Sequence, residues 1–148
     1  MKLSTRGRYG TRAILDIALH ATGGDPVPLK DIADRQQISK KYLEQFMGRL
    51  ESDGLVRSIR GAGGGFVLAR PADRITLLDI VTALEGPLAL VDCIDHPKRC
   101  SRSPSCATRD LWGDMTAQMT DFLRSQTLAD LCERQRSKEL VGATAYEI

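Results

Sequence analysis

The chain has 148 residues, 42% of them hydrophobic and 27% charged; this composition suits one globular domain and excludes wholesale disorder. A net charge of +2, taken alone, argues against a strongly nucleic-acid-binding protein. That total hides an asymmetry: residues 1–70 carry 12 Lys and Arg against 7 Asp and Glu, net +5, and residues 71–148 carry 9 against 12, net −3.

Tyr9, Ala13, Ile14, Ile17, Ala18 and Ala21 recur at helical spacing, which predicts a first helix over 5–22, ended by Gly23-Gly24-Asp25-Pro26. A short second helix over 29–36 turns Leu29, Ile32 and Ala33 inward. Gln37-Ile38-Ser39 is a tight turn, and Ser39 is placed to cap a third helix over 40–52. Helix, short turn, helix is the helix-turn-helix layout. Leu43, Phe46, Met47 and Leu50 make the buried stripe of the third helix. Its other side carries Lys40, Lys41, Glu44, Gln45, Gly48 and Arg49. Gln45 offers a bidentate amide to adenine, Glu44 an acceptor to the cytosine amino group, and the cations suit phosphate or guanine. An isolated polar face is usually only solvated; after a helix-turn-helix turn, DNA reading becomes the better interpretation.

Residues 55–60 and 66–69 read as two short strands flanking Gly61-Ala62-Gly63-Gly64-Gly65, a β-hairpin with a glycine-rich tip. Interior glycines weaken strands, so the tip is expected to serve close approach to a phosphate backbone at Gly63 and Gly64, with Arg57 and Arg60 reaching phosphate or the minor groove. A nucleotide-binding loop is disfavoured because the glycines lead into a strand and not into a helix N-terminus. Thr76 and Asp79 form a capping box for a helix over 77–85, stopped by Gly86-Pro87. A cysteine-bearing loop follows, then a long helix over 107–124 and a shorter one over 127–136. The expected organisation is a winged helix-turn-helix domain over 1–86, a cysteine loop over 87–107, a dimerisation helix region over 108–136 and a flexible tail over 137–148. The fold class is mainly α with one small hairpin. Leu111, Met115, Met119 and Phe122, widened by Trp112 and Leu123, stripe the long helix and suit pairing with a second copy. A purely intrachain core is the competing explanation.

No apolar run reaches the ~18 residues of a membrane span. Met1-Lys2-Leu3-Ser4-Thr5-Arg6 is not followed by the apolar stretch of a secretory signal. A cytoplasmic protein is therefore expected, and in a reducing compartment clustered cysteines suggest metal or redox chemistry before disulfides. Six residues separate Cys93 from Cys100 and five separate Cys100 from Cys106. The paired steps of a zinc ribbon are missing, whereas three thiolates on one loop can reach a common centre. Lys98, Arg99 and Arg102 favour the thiolate form. Such sites select iron–sulfur clusters, zinc or cuprous ion. A fourth ligand is open: His96 lies within the loop, and Asp92, Asp95 and Asp110 are nearby oxygens. Cys132 shares a helical face with Leu128 and Leu131 and reads as a packed core thiol. No nucleophile–base pair, cofactor fingerprint or paired carboxylate stands out, so an enzyme is not expected.

Together, Leu3-Ser4-Thr5-Arg6-Gly7-Arg8-Tyr9, Pro28-Leu29-Lys30-Asp31-Ile32-Ala33, Ile38-Ser39, Tyr42-Leu43-Glu44-Gln45, Gly54-Leu55-Val56, Arg60-Gly61-Ala62-Gly63-Gly64-Gly65 and the three loop cysteines carry a family resemblance. Over about residues 1–135 the chain resembles the IscR-type iron–sulfur-sensing winged-helix regulators, whose relatives include the nitric oxide-sensing NsrR branch. The resemblance implies a homodimer that binds palindromic double-stranded promoter DNA, with Lys41, Glu44 and Gln45 at base-reading positions and Arg60 at the minor-groove position of the wing. It implies an iron–sulfur cluster on Cys93, Cys100 and Cys106, [2Fe–2S] favoured over [4Fe–4S], and makes the cluster-assembly machinery a candidate partner. The chain departs from the pattern at the fourth ligand. The IscR histidine position holds Arg109, and the NsrR aspartate position corresponds to Arg8. His96, Asp110, a partner-chain residue or an exogenous thiol are left as candidates. A metal-free, thiol-based repressor of the same fold is the alternative function, and an iron–sulfur electron carrier the remote one.

Overall fold

Ser4 stands in extended backbone and its hydroxyl accepts the Gly7 N–H, so the chain enters its first helix, α1 (Thr5–His20), with the first turn capped. The structure, a computed structural model, describes residues 2–145. Helix α1 stops two residues earlier than the periodicity predicts. Ala21 leaves helical geometry, and Gly23 and Gly24 take positive φ in a single 3-10 turn over Thr22–Gly24. Helices α2 (Leu29–Gln36) and α3 (Lys40–Ser52) have the expected bounds. Between them Gln37 adopts the left-handed conformation (φ 54°), and Ser39 accepts the Tyr42 N–H at 3.2 Å, capping α3.

The wing is a two-stranded antiparallel sheet of β1 (Val56–Ile59) and β2 (Gly65–Leu68), with Val56 opposite Leu68 and Ile59 opposite Gly65. Val27 joins its far side through paired backbone hydrogen bonds with Phe66. Helix α4 (Leu77–Glu85) starts on the predicted capping box: Thr76 Oγ1 accepts the Asp79 N–H and Asp79 accepts the Thr76 N–H.

Beyond Gly86 the structure corrects the sequence reading twice. The cysteine segment is not open loop throughout: it holds the single-turn helix α5 (Asp92–Asp95) and 3-10 turns at Pro97–Arg99 and Ser103–Ser105. After α6 (Ala107–Ser125), helix α7 runs from Leu128 to Ala145, so residues 137–145 of the expected flexible tail are helical. Residues 146–148 of that tail lie outside the described residues. Thr127 and Asp130 exchange hydrogen bonds and cap the start of α7.

The core lies between α1, α3, α4 and the start of α7. Ile14, Ile17, Ile32, Leu43, Phe46, Leu50, Ile80, Leu84 and Leu128 are fully buried in one cluster, each contributing on the order of 1.5–3 kcal/mol of burial free energy before entropy is charged against it. Cys132 is buried too, as predicted for a packed thiol. Gly10 admits α4, since a Cβ there would lie 2.6 Å from the Leu84 methyls. Backbone bonds between Leu77 and Gln126 and between Leu128 and Ile75 tie the start of α7 to the start of α4. Among the described residues no helix is long and apolar enough to cross a membrane.

Candidate nucleic-acid interface and cysteine segment

Burial divides α3 as its sequence predicts. Leu43, Phe46, Met47 and Leu50 face the core, and Lys40, Lys41, Glu44, Gln45, Gly48 and Arg49 are all exposed. Two networks fix how that face is presented. The first is a buried carboxylate that sequence reasoning missed. Asp16 of α1 receives Arg35 bidentately, 2.6 Å from Nη2 and 3.0 Å from Nε, and Gln36 Nε2 at 2.7 Å. Arg12 adds bonds to the Gln36 side chain and carbonyl, each 3.0 Å, and stacks on Tyr9, 5.4 Å from the ring centre. A buried charge stripped of its partners costs several kcal/mol, so this set locks α2 onto α1. Tyr9, Tyr42 and Phe46 continue the lock into α3 through successive edge-to-face contacts.

The second network joins α3 to the wing. Glu51 accepts the Ser58 hydroxyl at 2.6 Å and the Ser58 N–H at 2.8 Å. These bonds hold the Glu51 carboxyl below its ordinary range. Arg57 and Arg60 are exposed on the same hairpin. The wing glycines differ from expectation in their role. A Cβ on Gly64 would lie 2.3 Å from the Ile59 carbonyl oxygen, and one on Gly65 equally close to that of Val27. The hairpin's own backbone therefore requires glycine at 64, and the Val27 segment bridged to Phe66 requires it at 65. Gly61 and Gly63, by contrast, face open space.

The cysteine segment packs α5 on α6, and α6 packs on α4. Cys93, Cys100 and Cys106 are free thiols, each half-buried. Cys106 sits at the N-terminus of α6. The Thr108 hydroxyl, 3.2 Å away, and the Arg109 backbone N–H favour its thiolate and hold its pKa below the ordinary thiol value. Cys132 moves the opposite way, because burial disfavours its charged form. The donor set suits a thiolate-bound cluster, but among the described residues no three His, Cys, Asp or Glu side chains converge on one point. His96 is exposed at the end of α5, Asp92 and Asp95 are exposed within it, and Asp110 is exposed in the first turn of α6. Arg109 is a structural tie that composition did not reveal: its Nε donates to the Cys93 carbonyl at 3.0 Å, joining α6 to α5.

The apolar stripe of α6 is split. Leu111, Trp112, Met115 and Phe122 are exposed, while Met119 is half-buried beside Leu3, Glu85 and Leu90.

A helix-turn-helix with an exposed polar second helix, braced against a glycine-tipped hairpin, defines a winged-helix DNA-binding protein. Comparison with known proteins agrees and narrows it. Residues 3–134 match the Rrf2 family model, described as an iron-dependent transcriptional regulator, and the chain belongs to that family. It is 43% identical over 135 residues to the HTH-type transcriptional regulator IscR of Erwinia tasmaniensis, covering 91% of this chain and 81% of the relative. Among solved structures it resembles CymR, the global cysteine regulator of B. subtilis (TM-score 0.75, 39% identity, covering 90% of this chain and 98% of that one). It also resembles the IscR of T. potens (TM-score 0.73, 38% identity, covering 91% and 88%). The protein is a DNA-binding transcription regulator and not an enzyme.

Proposed function

We propose that this regulator works in the cytoplasm as a homodimer on palindromic promoter DNA, as a repressor whose operator affinity is set by the state of its cysteine segment. Lys41, Glu44 and Gln45 face the bases, Lys40, Arg49 and Arg57 engage phosphates, and Arg60 enters the minor groove behind the tip at Gly63 and Gly64. The exposed faces of two α6 helices pair the protomers through Leu111, Trp112, Met115 and Phe122. Cys93, Cys100 and Cys106 hold an iron–sulfur cluster, [2Fe–2S] in preference to [4Fe–4S], with His96 and Asp110 as candidates for a fourth position and the cluster-assembly machinery as its source. When bound, the cluster would supply a redox- and iron-sensitive crosslink within the cysteine segment, beside the Arg109 bond that already joins α6 to α5.

The observation that carries the regulatory part is the position of α4, which packs on both α3 and α6. A rearrangement of residues 92–107 that moves α6 is felt at α3 through one intervening helix. Its effect on operator binding cannot exceed the difference in ligand affinity between the two arrangements. A second reading rests on Cys106, whose thiol is held below its ordinary pKa: the cysteines then respond as thiols, without metal. Anaerobic absorption with iron and sulfide analysis separates the two. The cluster reading predicts visible absorption with iron and sulfide in equal amounts, lost in Cys93→Ala, Cys100→Ala and Cys106→Ala. Colourless protein whose operator binding responds to thiol oxidation assigns the second.

A further inference from the structure

The first turn of α1 closes on the last turn of α4. Arg6 Nε donates to the Leu84 carbonyl at 2.7 Å, meeting an acceptor that the end of a helix leaves without a helical partner. Glu85, the last residue of α4, accepts the Ser4 N–H at 3.2 Å and the Ser4 hydroxyl, both on Oε1. The same hydroxyl accepts the Gly7 N–H at 3.0 Å, so one side chain caps α1 and holds the end of α4. Gly7 makes this approach possible, because a Cβ there would fall on Glu85 Oε1. Directly after Glu85 the chain leaves α4 through Gly86, at φ 87°, and runs on to Cys93. Further along α1, Asp16 holds Arg35 and Gln36 of α2. Helix α1 therefore joins the point where the cysteine segment begins to the helix-turn-helix.

We propose that Glu85 is a positioning residue for DNA binding: it latches the end of α4 to the first turn of α1, and the arrangement of the cysteine segment reaches the helix-turn-helix through that latch. The proposal rests on the reading that the cysteine segment governs operator affinity. It adds a hydrogen-bonded connection to the packing of α4 on α3 and α6. Hydrogen bonds are made or broken, which gives the connection the two discrete arrangements that coupling needs.

Coupling is reciprocal, so operator binding must in turn shift the cysteine segment. The test labels reduced, iron-free, full-length protein with N-ethylmaleimide, free and saturated with operator. Mass spectrometry follows the half-buried Cys93, Cys100 and Cys106, with the buried Cys132 as internal reference. In wild type the operator should change the labelling rate of at least one of the three by about fivefold or more. In Glu85→Ala and in Gly7→Ala that change should fall below about twofold. Gly7→Ala separates latch from fold: it displaces the carboxylate from Ser4, while alanine favours α1 and offsets the lost bonds, so the unfolding midpoint should stay near the wild-type value. Glu85→Gln, whose amide oxygen still accepts both Ser4 bonds, should keep the wild-type response. A wild-type response in Glu85→Ala and Gly7→Ala overturns the latch and leaves the coupling of cysteines to DNA standing. Loss of the response in Glu85→Gln assigns the effect to charge and overturns it as well. No operator-dependent change in wild type overturns both the latch and the reading beneath it.

Discussion

Gln45 and Glu44 are exposed on α3 and make none of the contacts that hold the core together. Their substitution is therefore expected to change DNA reading and leave stability alone. Gln45→Ala should lose about 1–3 kcal/mol of discrimination at one base pair of the operator, with the unfolding midpoint unchanged. Binding to operators varied one base at a time checks this; a uniform loss across all sequences would instead make Gln45 a phosphate contact. Some of the site was legible at this scale and some was not. The division of α3 into buried and exposed stripes is written in residue type at fixed spacing. The Asp16–Arg35 pair is not, because its members lie on different helices and meet only once α1 and α2 have packed. Gly64 was legible as special, but the reason lay in a carbonyl across the hairpin.

At the scale of elements, Glu51 joins α3 to the wing, so the two would act as one reader. Removing that tie in Glu51→Ala should weaken operator binding between about two- and tenfold with little effect on folding, since the bonds are at the surface. The pH dependence has a definite sign. The folded-state pKa of Glu51 is depressed, so the tie is fully present above the ordinary glutamate range and is lost only as pH falls through the lower folded value. Wild-type affinity relative to Glu51→Ala should therefore hold constant from neutral pH down to the ordinary glutamate range and converge below it. A constant ratio at all pH values, or no difference at neutral pH, contradicts the role. The bounds of α2, α3 and α4 were legible because caps and apolar spacing coincide there. The extension of α7 was not, because residues 137–145 include Ser137, Lys138 and Glu139 beside an exposed Leu140 and Val141; a helix turned to solvent leaves no periodic apolar signal.

For the whole molecule, the near-neutral total charge conceals a basic half that carries the helix-turn-helix and wing and an acidic half that carries the cysteines and α6. Pairing through α6 would set two basic surfaces on one particle, and steep salt dependence of operator binding follows from the phosphates they neutralise. The pairing is tested by Met115→Glu and Phe122→Glu. Both residues are exposed within one chain, so each variant should stay folded while sedimenting as a monomer, and should bind a full operator far more weakly than wild type. A dimer that survives both changes places the pairing surface elsewhere. The central claim is that the three cysteines, through α6 and α4, set the affinity of α3 for DNA. The most direct measurement is operator affinity at one salt concentration for anaerobically purified wild type, for the same protein after iron removal, and for the triple Cys93→Ala, Cys100→Ala, Cys106→Ala variant. The account predicts that the iron-stripped protein and the variant agree with each other and differ from the protein as purified. Equal affinity in all three states would contradict it.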